Sequence, residues 1–236
     1  MRAIGVGSLL LVCLVGGGCE FSWGAGERSS RSLHHTGFDR VACDGHFDVE
    51  IVVGPEYSVT VVADDNLLGL AEVAQVGDQL VIDTRPNHAF SSRLDPKVVV
   101  EMPALTELSV GFSAASVTGL SGGDLTVTSD SHGDVTLAGQ LETLRVLTSG
   151  RVVARALAVE EAIVHMRRGE VLLGEVRRRL ETTGRGTIAY HGDPPTLALG
   201  HTQHPKKAPR PPGAVPRGVP EPEPFEPPPP GGRWGF

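Results

Sequence analysis

The stretch GDLTVTSDSHGDVTLAG, residues 123–139, decides the fold. It contains two short alternations of apolar and polar residues: Leu125 and Val127 precede a polar turn, and Val135 and Leu137 follow it. Alternation with a period of two predicts β-strands that each bury one face. The stretch is therefore either one hairpin of an antiparallel sheet or one unit of a repeat.

The same layout recurs on both sides of this stretch. Residues 105–120, 141–157, 159–175 and 176–192 each contain a strand, a small turn and a second strand. An aliphatic residue of the second strand returns at a nearly constant spacing, at Val117, Val135, Val152, Val171 and Ile188. A fixed period of this kind is typical of repeat proteins, in which each unit buries its apolar face against the next.

We predict an all-β domain, a parallel β-solenoid of about five two-strand rungs preceded by several N-terminal strands. A plain antiparallel meander is the competing interpretation, since it also alternates. Here a Ser/Gly turn alternates with an apolar corner such as residues 141–144, so the repeating unit is a pair of strands. Further strands are expected near residues 38–42, 46–53, 57–63 and 79–84, and a strand at 98–103 enters the first rung.

The N-terminus resembles the signal peptide of a bacterial lipoprotein. Residues 1–18 contain one basic residue, an apolar run and the small residues Gly16–Gly18, and Cys19 follows directly. The run is too short for a bilayer core, which needs about 20 apolar residues. The resemblance implies a lipid on Cys19 and, because Glu20 follows, an outer-membrane location. Ordinary secretion, to a secreted or periplasmic form, is the alternative.

Two segments flank the predicted domain at residues 38–194. Residues 19–37 are rich in Gly and Ser and lack an apolar period, which predicts a flexible tether. Residues 195–236 contain most of the 18 prolines, which predicts a disordered proline-rich tail.

Four stretches of the chain resemble the auto-transporter adhesin head (GIN) domain family. They are FDRVACDGHFDVEIVVGPEYSVTV at 38–61, GDQLVIDT at 77–84, PALTELSVGFSA at 103–114 and GTIAYHGDP at 186–194. The turns SAAS, SDSHGD and MRRGE depart from the Gly-Ser-Gly-like corners of that family. The resemblance implies a cell-envelope protein and an architecture, more than an activity.

Two polar clusters carry possible metal ligands. Cys43, His46 and Asp48 lack the CxxC or HxxxH spacing of zinc sites, and we expect His46, Asp48 and Glu50 on the solvent face of an edge strand. If Cys19 carries no lipid, a Cys19–Cys43 disulfide is possible. The turn at residues 130–134 lacks a repeated calcium motif and predicts a solvated turn. We predict no metal and no cofactor.

Three arginines recur beside acidic residues at one point of the predicted rungs, namely Arg151, Arg168 and Arg185. If the rungs stack, these charges form a ladder that could receive an acidic glycan or a partner protein. A self-compensating edge that blocks strand addition is the alternative.

Composition narrows the function. A net charge of −7 does not favour nucleic acid as a partner. No nucleophile elbow, phosphate loop or metal-binding helix is present in the sequence, so we predict no catalytic residues. The expected function is that of a non-enzymatic, lipid-anchored envelope protein, adhesin-like or structural, that contacts the membrane and an envelope protein or polysaccharide. A ligand or envelope-stress sensor, and a β-helix carbohydrate-active enzyme, are the alternatives.

Overall fold

The computed structural model describes residues 20–130, 133–200 and 206–207. The predicted signal peptide, Cys19 and residues 208–236 of the predicted tail lie outside the described residues. Within these ranges the fold is all-β, with one 3₁₀ helix at Leu68–Leu70, and no helix is long and apolar enough to cross a membrane. The strands are β1 Glu20–Trp23, β2 Arg28–Leu33, β3 Arg40–Cys43, β4 Asp48–Val53, β5 Ser58–Asp64, β6 Ala71–Val76, β7 Gln79–Thr84, β8 His88–Ser91, β9 Lys97–Met102, β10 Glu107–Val110, β11 Ala115–Ser121, β12 Asp124–Ser129, β13 Asp134–Thr148, β14 Arg151–Met166, β15 Glu170–Gly184, β16 Thr187–His191, β17 Thr196–Leu199 and β18 Lys206–Lys207.

Sixteen of these strands form one largely parallel mixed sheet, and β1 and β8 form a separate parallel pair. The sheet curls strongly, because β13 pairs with β11 through its first half and with β12 through its second half. This gives two rows of strands around a shared interior. The first row runs β7, β3, β10, β12 and on to β17, and the second runs β9, β4, β11 and on to β16 and β18.

The prediction that equivalent residues of successive units lie side by side in parallel strands is confirmed. Val135 pairs with Val152, Val152 with Val171, and Val171 with Ile188, always in parallel strands. All four side chains are buried, so the repeated aliphatic positions do form the interior. Val117 is the exception, since it pairs with Leu137, and Ala115 holds the position opposite Val135.

The first row carries its own interior stack. Leu125 pairs with Leu144, Leu144 with Ala162, and Ala162 with Leu180, and each is fully buried. Burial of a Leu or Val side chain stabilises the fold by about 1.5–3 kcal/mol relative to exposure. The two stacks together supply the continuous core that no single unit could bury.

The apolar corners differ from the expectation of two separate strands. β13 runs without interruption through the predicted corner at residues 141–144. Shortly before this corner its pairing with β14 shifts in register between Thr136 and Ala138, and Gly139 has a φ of 131°. Backbone hydrogen bonding to the neighbouring strands therefore continues around this corner, and the units are separated at the Ser/Gly turns.

Those turns are held from inside by small hydroxyl side chains. The Ser129 hydroxyl donates a hydrogen bond to the Gly133 carbonyl oxygen at 2.9 Å. The Thr148 hydroxyl accepts one from the Gly150 N–H at 2.9 Å. Both side chains are buried, so they satisfy turn backbone groups that the parallel ladder leaves unpaired.

The N-terminal half joins the same stack. β3 lies between β7 and β10, and β4 lies between β9 and β11. The strands predicted near 38–42, 46–53, 57–63, 79–84 and 98–103 correspond to β3, β4, β5, β7 and β9. Antiparallel pairing appears where β2, β5 and β6 cover this end of the sheet.

Both flanking segments contain strands that were not predicted from the sequence. β1 and β2 lie within the predicted tether at 19–37, so the flexible-tether interpretation is wrong for those residues. β17 and β18 likewise lie within the predicted tail. Most side chains of these four strands are exposed, so the strands are held mainly by backbone pairing and carry at most a very short apolar alternation.

Candidate functional site

Arg151 lies beside the acidic residues that were expected to accompany the arginine ladder. This residue opens β14, and its backbone pairs with Asp134 on one side and Glu170 on the other. Its Nε lies 3.2 Å from the Glu170 Oε2 atom. The positive charge is therefore flanked by carboxylates along the stack.

Arg168 and Arg185 do not continue that ladder. The Arg185 N–H donates to the Met166 carbonyl oxygen, as the Arg167 N–H donates to that of Thr148, so Arg185 is equivalent to Arg167. Arg168 is the additional residue of the longer turn after β14. The predicted recurrence is wrong because the turns differ in length. Both side chains are nevertheless exposed at the Ser/Gly-turn edge, where Arg151 also lies.

Charges on the outer surface are compensated between neighbouring strands. Such pairs join consecutive members of the two rows, with N···O distances of 2.6–3.4 Å: Arg40–Glu107, Lys97–Glu50, Arg145–Asp124, Arg177–Glu160 and Arg178–Glu161. Exposed pairs of this kind contribute about 0–1 kcal/mol each. They favour the correct cross-strand register more than they add stability.

The cysteine cluster does not form a metal site. Cys43 points into the core, is free and buried, and its burial raises the pKa of the thiol to about 12. His46 and Asp48 are exposed. Among the described residues, no group of three or more His, Cys, Asp or Glu side chains could hold a metal ion. The expectation that Asp48 and Glu50 lie on an edge strand is wrong, because their strand β4 lies inside the sheet between β9 and β11.

Acidic side chains come together where strands of the first row end. Partial desolvation of Asp44, followed by the negative charges of Asp83 and Asp130, raises the pKa of the Asp44 carboxyl. Asp83 lies near the end of β7, Asp44 directly after β3 and Asp130 directly after β12, so the three come from parts of the first row that are distant in sequence. Residues 131 and 132 of the predicted solvated turn lie outside the described residues.

A buried carboxylate closes the N-terminal end of the fold. Asp64 is inaccessible to solvent, and its Oδ1 accepts a hydrogen bond from the Gly26 N–H at 2.6 Å. Its Oδ2 accepts one from the Ser92 hydroxyl. The Ser92 hydroxyl, the Gly26 N–H and the charge of Arg28 lower the pKa of Asp64 in spite of its burial. We call Gly26, Asp64 and Ser92 the Asp64 clasp.

A shallow pocket of about 270 Å³ adjoins the clasp, lined among others by Trp23, Gly24, Asp64, Ser91 and Arg93. Ligand pockets usually exceed about 300 Å³ and are mostly apolar. A Cβ on Gly24 would lie 2.5 Å from the Asp64 carboxylate, so the chain passes the clasp closely. Both Asp64 oxygens are engaged, which gives this carboxylate a structural role rather than that of a free acid or base.

An exposed aromatic pair stands beside this pocket. Phe21 and Trp23 on β1 are 53% and 72% exposed, and their rings meet edge to face with centroids 5.0 Å apart. Trp23 was expected to lie in the tether, outside the folded region, and the structure corrects this. The alternation of Phe21 and Trp23 was the available signal, but so short a stretch is not enough to indicate a strand.

The family comparison matches residues 37–194, more than half of the 236-residue chain, to the family described as "Putative auto-transporter adhesin, head GIN domain". A comparison with curated proteins finds no match.

Three crystal structures described as a "putative adhesin" share the fold. The protein from Bacteroides fragilis superposes with a TM-score of 0.63 at 16% identity, covering 78% of this chain and 97% of that one. The protein from Parabacteroides merdae gives 0.54 at 17% identity, covering 80% and 100%. One from Parabacteroides distasonis gives 0.51 at 16% identity, with the same coverage. At these identities the likeness concerns the fold alone.

Proposed function

Because the chain belongs to the auto-transporter adhesin head GIN domain family, we propose that it is a non-enzymatic, lipid-anchored protein of the cell envelope. Its task is to bind another envelope component through an extended β surface, as an adhesin or as a structural module. The supporting observation is the parallel pairing of equivalent residues in successive units, which repeats one outer surface along the stack.

The architecture proposed is a parallel β-solenoid. Two rows of parallel strands, each continued from unit to unit, support it. The stacks of buried aliphatic side chains inside the two rows, and the turns that recur at each unit, also support it. A solenoid offers long, regular faces, and such faces suit contact with a polymer or with a broad protein surface.

Anchoring is assigned to a lipid on Cys19, with Glu20 favouring the outer membrane. The test is labelling of growing cells with radioactive palmitate, comparing the natural chain with a Cys19→Ala variant. We expect the label and the membrane association to be lost together in the variant. Equal membrane association without label in both proteins would overturn the anchor and favour a secreted or periplasmic form.

The binding surface is assigned to the Ser/Gly-turn edge, with Arg151, Arg168 and Arg185 as the contact residues. Arg151 is already paired with Glu170, so the exposed guanidinium groups of Arg168 and Arg185 are expected to contribute most. Their charge fits an acidic polysaccharide or an acidic protein surface.

The experiment uses the purified full chain and acidic envelope polysaccharide in a sedimentation assay. Reversal of charge in an Arg168→Glu, Arg185→Glu double variant should abolish cosedimentation, whereas Arg155→Glu, also an exposed arginine of the stack, should not change it. If both variants lost cosedimentation equally, the net charge of the protein, and not the positions of Arg168 and Arg185, would explain the binding. No binding by the natural chain to polysaccharide or to cross-linked envelope proteins would refute the binding function.

A further inference from the structure

Hydrogen bonds hold β1, the strand that carries the exposed aromatic pair. β1 pairs with β8 along its whole length, from Glu20 opposite His88 to Trp23 opposite Ser91. The carbonyl of Trp23 also accepts a hydrogen bond from the Asn66 side chain at 2.8 Å. A conventional tether after a lipid anchor would leave such residues free to move.

The Asp64 clasp fixes the chain directly after β1. The Gly24 N–H donates to the Ser91 carbonyl oxygen at 2.8 Å, and the Gly26 N–H donates to Asp64. Phe21 and Trp23 therefore project from a backbone that is bonded at both ends. Alternate residues on a strand face the same side, so both rings lie on one surface.

This surface begins directly after the proposed lipid site. At about 3.4 Å per residue, Phe21 lies within about 7 Å of Cys19 and Trp23 within about 14 Å. A lipid on Cys19 must enter the bilayer within that distance of the two rings. The region between headgroups and acyl chains is where tryptophan and other amphipathic aromatic side chains are most stable.

We propose that Phe21 and Trp23 insert into the interfacial region of the bilayer that holds the Cys19 lipid, so that the domain docks directly onto the membrane surface. This inference rests on the lipid anchor proposed above. It adds a second membrane contact and fixes the orientation of the stack, with the β1 end at the lipid.

Charge does not provide an equivalent attraction. The chain carries a net charge of −7. Near the aromatic pair, Arg28 and Arg93 are exposed, but the acidic Glu20 is also there. The Glu20 Oε2 atom lies 2.8 Å from the His88 Nε2 atom. Anionic lipid would not attract such a surface strongly. Docking by aromatic insertion is therefore expected to persist at high salt, whereas docking by basic residues would weaken.

The test follows the fluorescence of Trp23 in the lipidated full chain, with Trp234→Phe so that Trp23 is the one tryptophan. The protein is reconstituted into vesicles of phosphatidylethanolamine and phosphatidylglycerol with brominated acyl chains. Emission should move to shorter wavelength and be quenched, most strongly by bromine near the carbonyl end. The shift should be the same at low and high salt.

The matched control moves the tryptophan to the other end of the stack. Trp23→Phe and Leu197→Trp in the same background place the reporter on β17, seven strands from β7 along the first row. At about 4.8 Å per strand, β17 lies about 34 Å from β7. This reporter should be neither shifted nor quenched. Quenching at both positions, or at neither, with the Cys19 lipid intact would overturn the docking and leave the anchor standing.

A second measurement separates docking from anchoring. The full mature chain with Cys19→Ala is floated with the same vesicles, with and without Phe21→Ser and Trp23→Ser. Removal of both rings should weaken binding roughly a hundredfold, about tenfold for each ring buried in part. Unchanged melting of the variant confirms its fold. Equal flotation of both proteins, or binding of the ring pair to soluble polysaccharide but not to vesicles, would refute the proposal.

Discussion

Two nearby glycines, one in β11 and one directly after it, test whether β11 lies as close to its neighbour β4 as the structure shows. Gly119 and Gly122 have similar left-handed backbones, with φ of 80° and 91°. A Cβ on Gly119 would lie 2.5 Å from the Val53 carbonyl oxygen of β4, whereas a Cβ on Gly122 meets nothing within 4 Å. Substitution by alanine therefore adds the same strain at both sites and a collision at one.

The expected magnitudes follow from these two terms. A left-handed backbone costs alanine about 1–2 kcal/mol, and the reduced entropy of the unfolded chain returns about 0.4–1 kcal/mol. Gly122→Ala should thus destabilise the protein by about 1 kcal/mol. The collision at Gly119 involves backbone atoms, and overpacking of this kind costs about 1–3 kcal/mol more. Gly119→Ala should therefore cost about 3 kcal/mol.

Thermal unfolding of the full chain, followed by circular dichroism, measures the difference. For a domain of this size, a difference of about 2 kcal/mol corresponds to a gap of about 4–8 °C between the two variants. Urea unfolding with an unchanged slope would show that native stability, rather than the unfolded state, is affected. Equal melting temperatures would refute the close approach of β11 to β4 and with it the stacking of the N-terminal half on the repeats.

Three further substitutions probe the core and the two perturbed carboxylates. Leu144→Ala removes a fully buried side chain between Leu125 and Ala162, and urea unfolding should show a loss of about 2–5 kcal/mol. Asp64→Asn should lower the melting temperature at neutral pH. The difference in melting temperature between the natural protein and the variant should narrow as the pH falls below the ordinary carboxyl pKa of 3.8. The ionised Asp64 stabilises the fold, and this stabilisation is lost as the pH falls through its lowered pKa. Asp44→Asn should raise the stability by a few tenths of a kcal/mol at neutral pH, and this gain should disappear as the pH falls through the raised pKa of Asp44.

The repeated half of the fold could be predicted because its interior imposes a rule on the sequence. Away from the turns, the inward positions of a shared core are apolar, so Val135, Val152, Val171 and Ile188 return at nearly constant spacing. Alternate inward positions of one strand look alike, which is why Val117 was aligned with Val135 in place of Ala115. The turns impose a weaker rule, since any small or polar residue satisfies them. Their lengths vary, and for that reason the equivalence of Arg168 and Arg185 was predicted incorrectly.

The N-terminal half was predictable as strands but not as an arrangement. Alternation in β3 and β4 indicates that each buries one face, but it does not identify the neighbouring strand. Their partners β10 and β11 come much later in the chain, after several intervening strands, and lie beyond the reach of a local pattern. β1 and β2 were missed for a different reason, since the alternation of Phe21 and Trp23 in β1 is too short to indicate a strand and β2 has no apolar alternation.

The Asp64 clasp illustrates why the arrangement at the β1 end could not be derived from the sequence. An aspartate at the end of a strand normally indicates a turn. Only the folded chain brings the Gly26 N–H and the Ser92 hydroxyl, from segments far apart in sequence, to its two oxygens. The carboxylate then offsets its own burial through those hydrogen bonds and holds β1 in place.

The distribution of charge narrows where partners can bind. Along the faces of the stack, several acidic and basic side chains are paired between neighbouring strands, so these groups are less available to a partner. Arg168 and Arg185 lie in turns outside the strand pairing, and the Phe21–Trp23 pair lies at the end of the fold outside the main sheet. The binding proposed at the turns and the docking proposed at the β1 end would therefore use different surfaces. A domain docked on a membrane through its β1 end would keep its turns available to a partner.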